Sequence, residues 1–270
     1  MSLYGSSFPG SYLKAELGRL VHRWQTVAAL HIGCGALGFG YWQYAVFTGS
    51  PEKSANGAFF AALRLCLLVI PIVSATATGD VTAGDRDSGA VRYILLRVPR
   101  RAYALVKMLA AATVAGGIVF LAILFMGLLA PILFPVRAVP VAHSFSGSAN
   151  QFFPSLLYGG YPAFVGLAAL YSGFFGVFVG GVTAWLGLLF RSAVVVTAVV
   201  WVGYMFTSLA LLHVNVLWLQ RLAPYVNAVA ATYTPTMQGP PWLPPVGWLM
   251  LAVGVWALAA RRLARLDVVD

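Results

Sequence analysis

The sequence predicts an all-α integral membrane protein with six transmembrane helices, and three observations carry that expectation. First, the 270 residues are 60% hydrophobic and only 9% charged, more apolar surface than a water-soluble fold can hide. Second, the uncharged runs 24–51, 108–136, 138–190, 192–220 and 222–260 each exceed the ~20 residues that a helix needs to cross a ~30 Å hydrocarbon core. A further run, 54–79, is interrupted by Arg64 alone. Third, these runs are continuous rather than alternating, which selects helices over a barrel. Only backbone that satisfies its own hydrogen bonds survives in lipid.

Taken in chain order, residues 1–10 are expected to be a disordered start. MSLYGSSFPG has neither the basic beginning nor the apolar core of a cleavable signal, and Pro9 and Gly10 punctuate its end. Over 11–24, SYLKAELGRLVHRW places Tyr12 or Leu13, Leu17, Leu20, Val21 and Trp24 on one helical face and Lys14, Glu16, Arg19, His22 and Arg23 on the other. That pattern predicts an amphipathic helix lying in the headgroup plane; the competing reading is a helix packed on protein. A six-helix bundle is then expected over 25–261, with spans at 25–47, 56–78, 107–133, 162–190, 193–212 and 246–261. Segments 134–161 and 213–245 are too apolar for solvated linkers and too rich in proline for clean spans. They read as short helices or re-entrant turns at the outer interface, with Trp and Tyr at headgroup level.

Basic residues set the expected orientation. Lys14, Arg19, Arg23, Arg86, Arg92, Arg97, Arg100, Arg101, Lys107, Arg191, Arg261, Arg262 and Arg265 fall on one side of this topology. Lys53, Arg137 and Arg221 fall on the other, and Arg64 lies within a span. Thirteen against three places both termini and the 79–106 loop in the cytoplasm of a cell whose inner membrane the chain crosses repeatedly. The formal net charge of +10 therefore requires no nucleic-acid partner: the orientation rule and anionic inner-leaflet lipid account for it.

The densest charge lies in residues 79–107, GDVTAGDRDSGAVRYILLRVPRRAYALVK, which hold six of the seventeen Lys and Arg and three of the seven acids. AVRYILL reads as a short helix outside the bilayer, with Asp87 or Ser88 at its start, where the helix dipole favours an oxygen acceptor. RVPRR interrupts it, and AYALVKML re-enters the membrane.

In Asp85, Asp87, Ser88, Gly89, Leu95, Leu96, Arg100 and Lys107 the stretch resembles the membrane subunit of ABC-type exporters, the six-helix permease family without a fused ATPase. Its members carry an acidic residue or two, Ser-Gly-Thr, a short leucine-rich helix, a proline–arginine turn and a Lys entering the third span. Here Ala90 stands in place of the Thr, and Pro99 lies about two positions late. The resemblance implies a coupling helix around Gly89–Leu96, seated in a groove of a separate ATP-binding subunit. Asp85, Asp87, Ser88, Gly89, Arg92, Tyr93, Leu95, Leu96 and Arg100 would form the coupling site. It also implies two copies of that ATP-binding subunit, carrying the ATP and Mg, and a second permease subunit, the same or different. No cofactor is expected on this chain, since no G-x-x-x-x-G-K-[ST] phosphate loop occurs in it.

Within the spans, Arg64 lies about eight residues, or roughly 12 Å, from the outer end. It reads either as a contact for cargo or as a side chain that snorkels to the interface. Gly173, Gly176 and Gly180 in YSGFFGVFVGG share one helical face and predict close helix packing, within the chain or with a second copy. Phe174, Phe175 and Phe178 beside them face either lipid or an apolar pathway, with Phe174 and Phe178 taken as pathway candidates. Cys34 and Cys66 read as small apolar side chains, and His31 and His213 lack a ligand partner at i+3 or i+4, so no metal site is expected. An intramembrane enzyme is disfavoured because no Asp or Glu falls in any predicted span. A non-transporting membrane anchor or assembly protein is the remaining alternative. An aromatic interior leans towards amphipathic or hydrophobic cargo such as drugs, lipids or lipopeptides.

Overall fold

The computed structural model describes residues 8–47, 53–136, 160–213 and 243–265, and among them all regular structure is helical. We number the elements α1 (Phe8–Val21), α2 (Trp24–Phe47), α3 (Ala55–Thr78), α4 (Asp80–Asp87), α5 (Ala90–Leu95), α6 (Arg100–Leu133), α7 (Gly160–Gly187), α8 (Ala193–His213) and α9 (Leu243–Arg265). The outer segments expected to hold short or re-entrant helices fall almost wholly outside the described residues, as does the side chain of Arg64.

Among the described residues two helices, α6 and α7, are long and apolar enough to cross a membrane, and the pair Ala55–Leu63 and Leu68–Asp87, meeting at 62°, makes a third candidate. The bend has a local cause. Pro71 sits inside α3, where it offers no N–H to the carbonyl of Leu67 and its ring crowds that oxygen. The outward faces of α6, α8 and α9 carry Leu121, Phe125, Ile132, Val194, Phe206 and Met250 uncovered. Large apolar side chains left uncovered on three helices suit contact with lipid better than with water.

At the centre α6 packs against α7 along a seam of small residues. A Cβ on Gly180 would lie 2.7 Å from the Ala111 carbonyl oxygen and from Ala115 Cβ. One on Gly176 would lie 3.1 Å from Gly116 Cα, and one on Gly173 would lie 3.2 Å from Phe120 Cβ. Positions rising along α7 meet positions falling along α6, so the two are antiparallel, with backbones closer than any larger side chain permits. The neighbour of this glycine face is thus α6 of the same chain.

Contacts at the two ends order the remaining helices. At one end the Ala55 N–H donates to the Pro135 carbonyl at 3.0 Å, joining the start of α3 to the end of α6. There too the Tyr161 hydroxyl donates to the Gly127 carbonyl at 2.6 Å and the Tyr41 hydroxyl to that of Met126 at 2.6 Å. At the other end Thr82 of α4 donates to the Ala184 carbonyl of α7 at 2.7 Å. Trp248 packs edge-on against Phe175 and tilted against Phe178, and Trp256 abuts Gly181, so α9 runs parallel to α7. The six longer helices therefore alternate in direction through the bundle.

Three expectations need correction. The run GDVTAGDRD is not a loop but helix α4, which continues α3 through Gly79 in right-handed helical geometry (φ −60°, ψ −28°). Helix α1 does not wait for residue 11: it starts at Phe8 and carries Pro9 in its first turn, where a missing N–H costs no intrahelical bond. The third long helix begins at Arg100 rather than Lys107. A charge marks where a helix can leave lipid, not where it stops being helical.

Candidate functional site: the charged end of the bundle

Helices α1, α4, α5 and the first turns of α6 meet at the end of the bundle where the basic residues gather. The 34 residues of α6 rise about 50 Å at 1.5 Å per residue, well beyond a ~30 Å hydrocarbon core. Its charges lie in the first eight residues, and Met108 to Leu133 is uncharged. The segment 100–107 is consequently the charged end of α6.

Here the structure builds a buried ionic cluster from three elements. The Lys107 side chain is 1% exposed, and its Nζ lies 2.8 Å from Glu16 Oε1 and 2.6 Å from Asp85 Oδ2. The two carboxylate side chains are 5% and 6% exposed. The Tyr103 hydroxyl donates to Asp85 Oδ2 at 3.1 Å, and Arg19 bonds Glu16 and lies 3.4 Å from Asp85 Oδ1. Two acids and two bases balance, the arrangement that makes burial of charge tolerable. A second pair, Arg23 with Asp80, fastens the turn between α1 and α2 to the start of α4.

The surroundings act on the neighbouring groups in the expected sense. Burial, and then the Asp85 carboxylate that accepts its hydrogen bond, push the Tyr103 hydroxyl far above the ordinary tyrosine range, keeping it a donor. Tyr12 is raised by burial and by the Glu16 and Asp85 charges. Burial opposes the Arg19 charge, but its bond to Glu16 and the nearby carboxylates outweigh that and raise its pKa. Arg86 of α4 is lowered by burial and by Arg191 and Arg262. Its guanidinium donates to the Leu188 carbonyl at the end of α7.

This arrangement differs from the amphipathic pattern read from the sequence. Leu20 is buried, but Val21 and Trp24 on the same predicted face are exposed, while Glu16, assigned to the polar face, lies inside the protein. Helix α1 is packed on protein through its charges as well as its leucines. Glu16 was a legible signal in retrospect. Acids are scarce, seven in the chain, and one isolated in a basic helix needs a partner.

The residues grouped by sequence as a coupling site divide into two sets. Asp85 belongs to the interior cluster, not to a surface that a partner could touch. Ser88 does not cap α5: its Oγ donates back to the Gly84 carbonyl at 2.8 Å, closing α4. Gly89 is the N-cap of α5, at φ +69°, with no side-chain acceptor. That left-handed geometry reverses the chain between α4 and α5 and is open to glycine at little cost. Among the rest, Tyr93 is 74% exposed and Leu96 80%, with Asp87 and Arg92 also exposed, while Leu95 and Arg100 are half-buried.

Within the bundle Phe178 is half-buried and packs on Trp248 at 5.2 Å between ring centroids; Phe174 is likewise half-buried. No family model matches the sequence, and no curated protein matches it.

Proposed function

We propose that this chain is the membrane-spanning subunit of an ATP-driven ABC exporter, crossing the cytoplasmic membrane six times with both termini inside, and that α5 is its coupling helix. The observation that carries the reading is the contrast between α5 and its mounting. The short helix has no buried residue and presents Tyr93 and Leu96 almost fully to the exterior. The α4 helix leading into it is held by Asp85 in the ionic cluster and by Thr82 and Arg86 on α7. An exposed apolar knob on a rigid base suits a part that receives force from another protein.

In this reading the chain holds no nucleotide. Two separate ATP-binding subunits supply ATP and Mg, and a second permease subunit, identical or different, completes the pathway. The cargo is amphipathic or hydrophobic, consistent with the aromatic packing of Phe175 and Phe178 on Trp248 between α7 and α9.

The test places a photo-crosslinking amino acid at position 93 and, separately, Tyr93→Cys in a background lacking Cys34 and Cys66. We expect a crosslink in native membranes to a protein bearing a phosphate-loop ATPase sequence. The cysteine should react with a membrane-impermeant reagent only from the cytoplasmic side. Labelling from outside, or crosslinks confined to lipid, would overturn the reading.

A further inference from the structure

The charges of residues 79–107 look mixed in sequence, yet the fold sorts them. Asp80 is taken by Arg23, and Asp85 by Lys107 and Arg19, so both carboxylates are spent against bases from α1 and α6. The charged side chains left exposed from the end of α4 to the start of α6 are Arg92, Arg97 and Arg101 against Asp87 alone. Among them stand the two exposed apolar groups Tyr93 and Leu96. Sequence spacing already sets Arg92 one turn from Leu96 and Tyr93 one turn from Arg97.

We infer that the surface which receives α5 is an apolar socket with an acidic rim, on the ATP-binding subunit named above, and that the three arginines steer the two proteins together. This rests on the proposed function and specifies the partner's chemistry. Charge complementarity argues for it: pairing two carboxylates inside the protein leaves three exposed arginines against one exposed acid beside two apolar groups. Such a basic surface speeds encounter with an acidic one and rejects like-charged partners, while the apolar groups supply contact. A bare lipid surface would attract the arginines, but it offers no fitted recess for Tyr93 and Leu96 on a helix only six residues long.

The experiment uses the full chain in nanodiscs of neutral phosphatidylcholine, with the ATP-binding subunit identified by crosslinking at position 93. Association rates are measured at ~0.05 M and ~0.5 M salt, a range over which screening shortens the reach of exposed charges from over 10 Å to about 4 Å. For wild type the rate should fall on the order of tenfold across that range. In Arg92→Glu/Arg97→Glu/Arg101→Glu the low-salt rate should drop at least as far and its salt dependence should vanish or invert. Thermal unfolding of the variant checks that its fold is retained. Salt-independent binding that the variant shares overturns the acidic rim and leaves the proposed function standing. If no phosphate-loop protein binds and the arginines instead govern binding to anionic vesicles, both fall.

Discussion

Lys107→Met tests the ionic cluster most directly, because the substitution keeps the side chain's length and removes only its charge. In the structure Nζ is the shared donor between Glu16 and Asp85. Without it two nearly inaccessible carboxylates face each other with only Arg19, itself partly exposed, to balance them. Removing one member of a buried ion pair costs about 3–5 kcal/mol. At about 1.4 kcal/mol per decade, that shifts the local equilibrium for releasing α1 by roughly a hundred- to several-thousandfold. Limited trypsin digestion reads this out at Lys14, Arg19 and Arg23, since cleavage follows the open population when opening is fast. A second variant guards against general misfolding. Glu16→Gln/Asp85→Asn/Lys107→Met removes the three buried charges, leaves only the partly exposed Arg19, and should recover most of the protection, because neutral replacement of buried ion partners is often tolerated. Wild-type cleavage rates in Lys107→Met would show that the three groups do not meet as described.

Three further predictions concern glycine. Gly180→Leu should disrupt the α6–α7 seam, where a first carbon already lies 2.7 Å from Ala111 and Ala115, at a cost of about 1–3 kcal/mol or more. Gly117→Ala, with no atom within 4 Å of the added carbon, should be neutral or stabilising by up to ~1 kcal/mol; thermal unfolding in detergent distinguishes them. Gly89→Ala meets open space but must hold φ +69°, a strain of about 1–2 kcal/mol. We therefore expect faster hydrogen exchange in α5 with the bundle unchanged, and equal loss of protection throughout would contradict that localisation.

The fold was legible where one force dominates. Long apolar runs placed α2, α3, α6, α7, α8 and α9 to within a few residues at most ends, because a sustained apolar run outweighs local preferences. The glycine spacing of 173, 176 and 180 announced close packing, though not its partner, since spacing describes one helix and says nothing of what faces it. Helix α4 was hidden. Its sequence, DVTAGDRD, has glycine and three acids and reads as solvated loop by composition. What makes it helical is tertiary: Val81, Thr82 and Ala83 are buried, Thr82 and Arg86 bind α7, and Asp80 and Asp85 are neutralised by bases distant in sequence. No local pattern encodes those bonds.

The same distant bonds explain why charge is so sparing here. Of the seven acids, Glu16, Asp80, Asp85 and Asp87 lie among the described residues, and the first three are ion-paired. An unpaired inward-facing acid would cost several kcal/mol, and an unpaired inward-facing base as much. A chain rich in basic residues can bring some of them indoors by giving each an acid, as Lys107 has in Glu16 and Asp85. Acids at this end thus act chiefly as struts between α1, α4 and α6 rather than as solubilising groups. Hence the outward charge is almost purely basic, and losing any one strut changes both the packing of α1 and the sign balance that α5 presents.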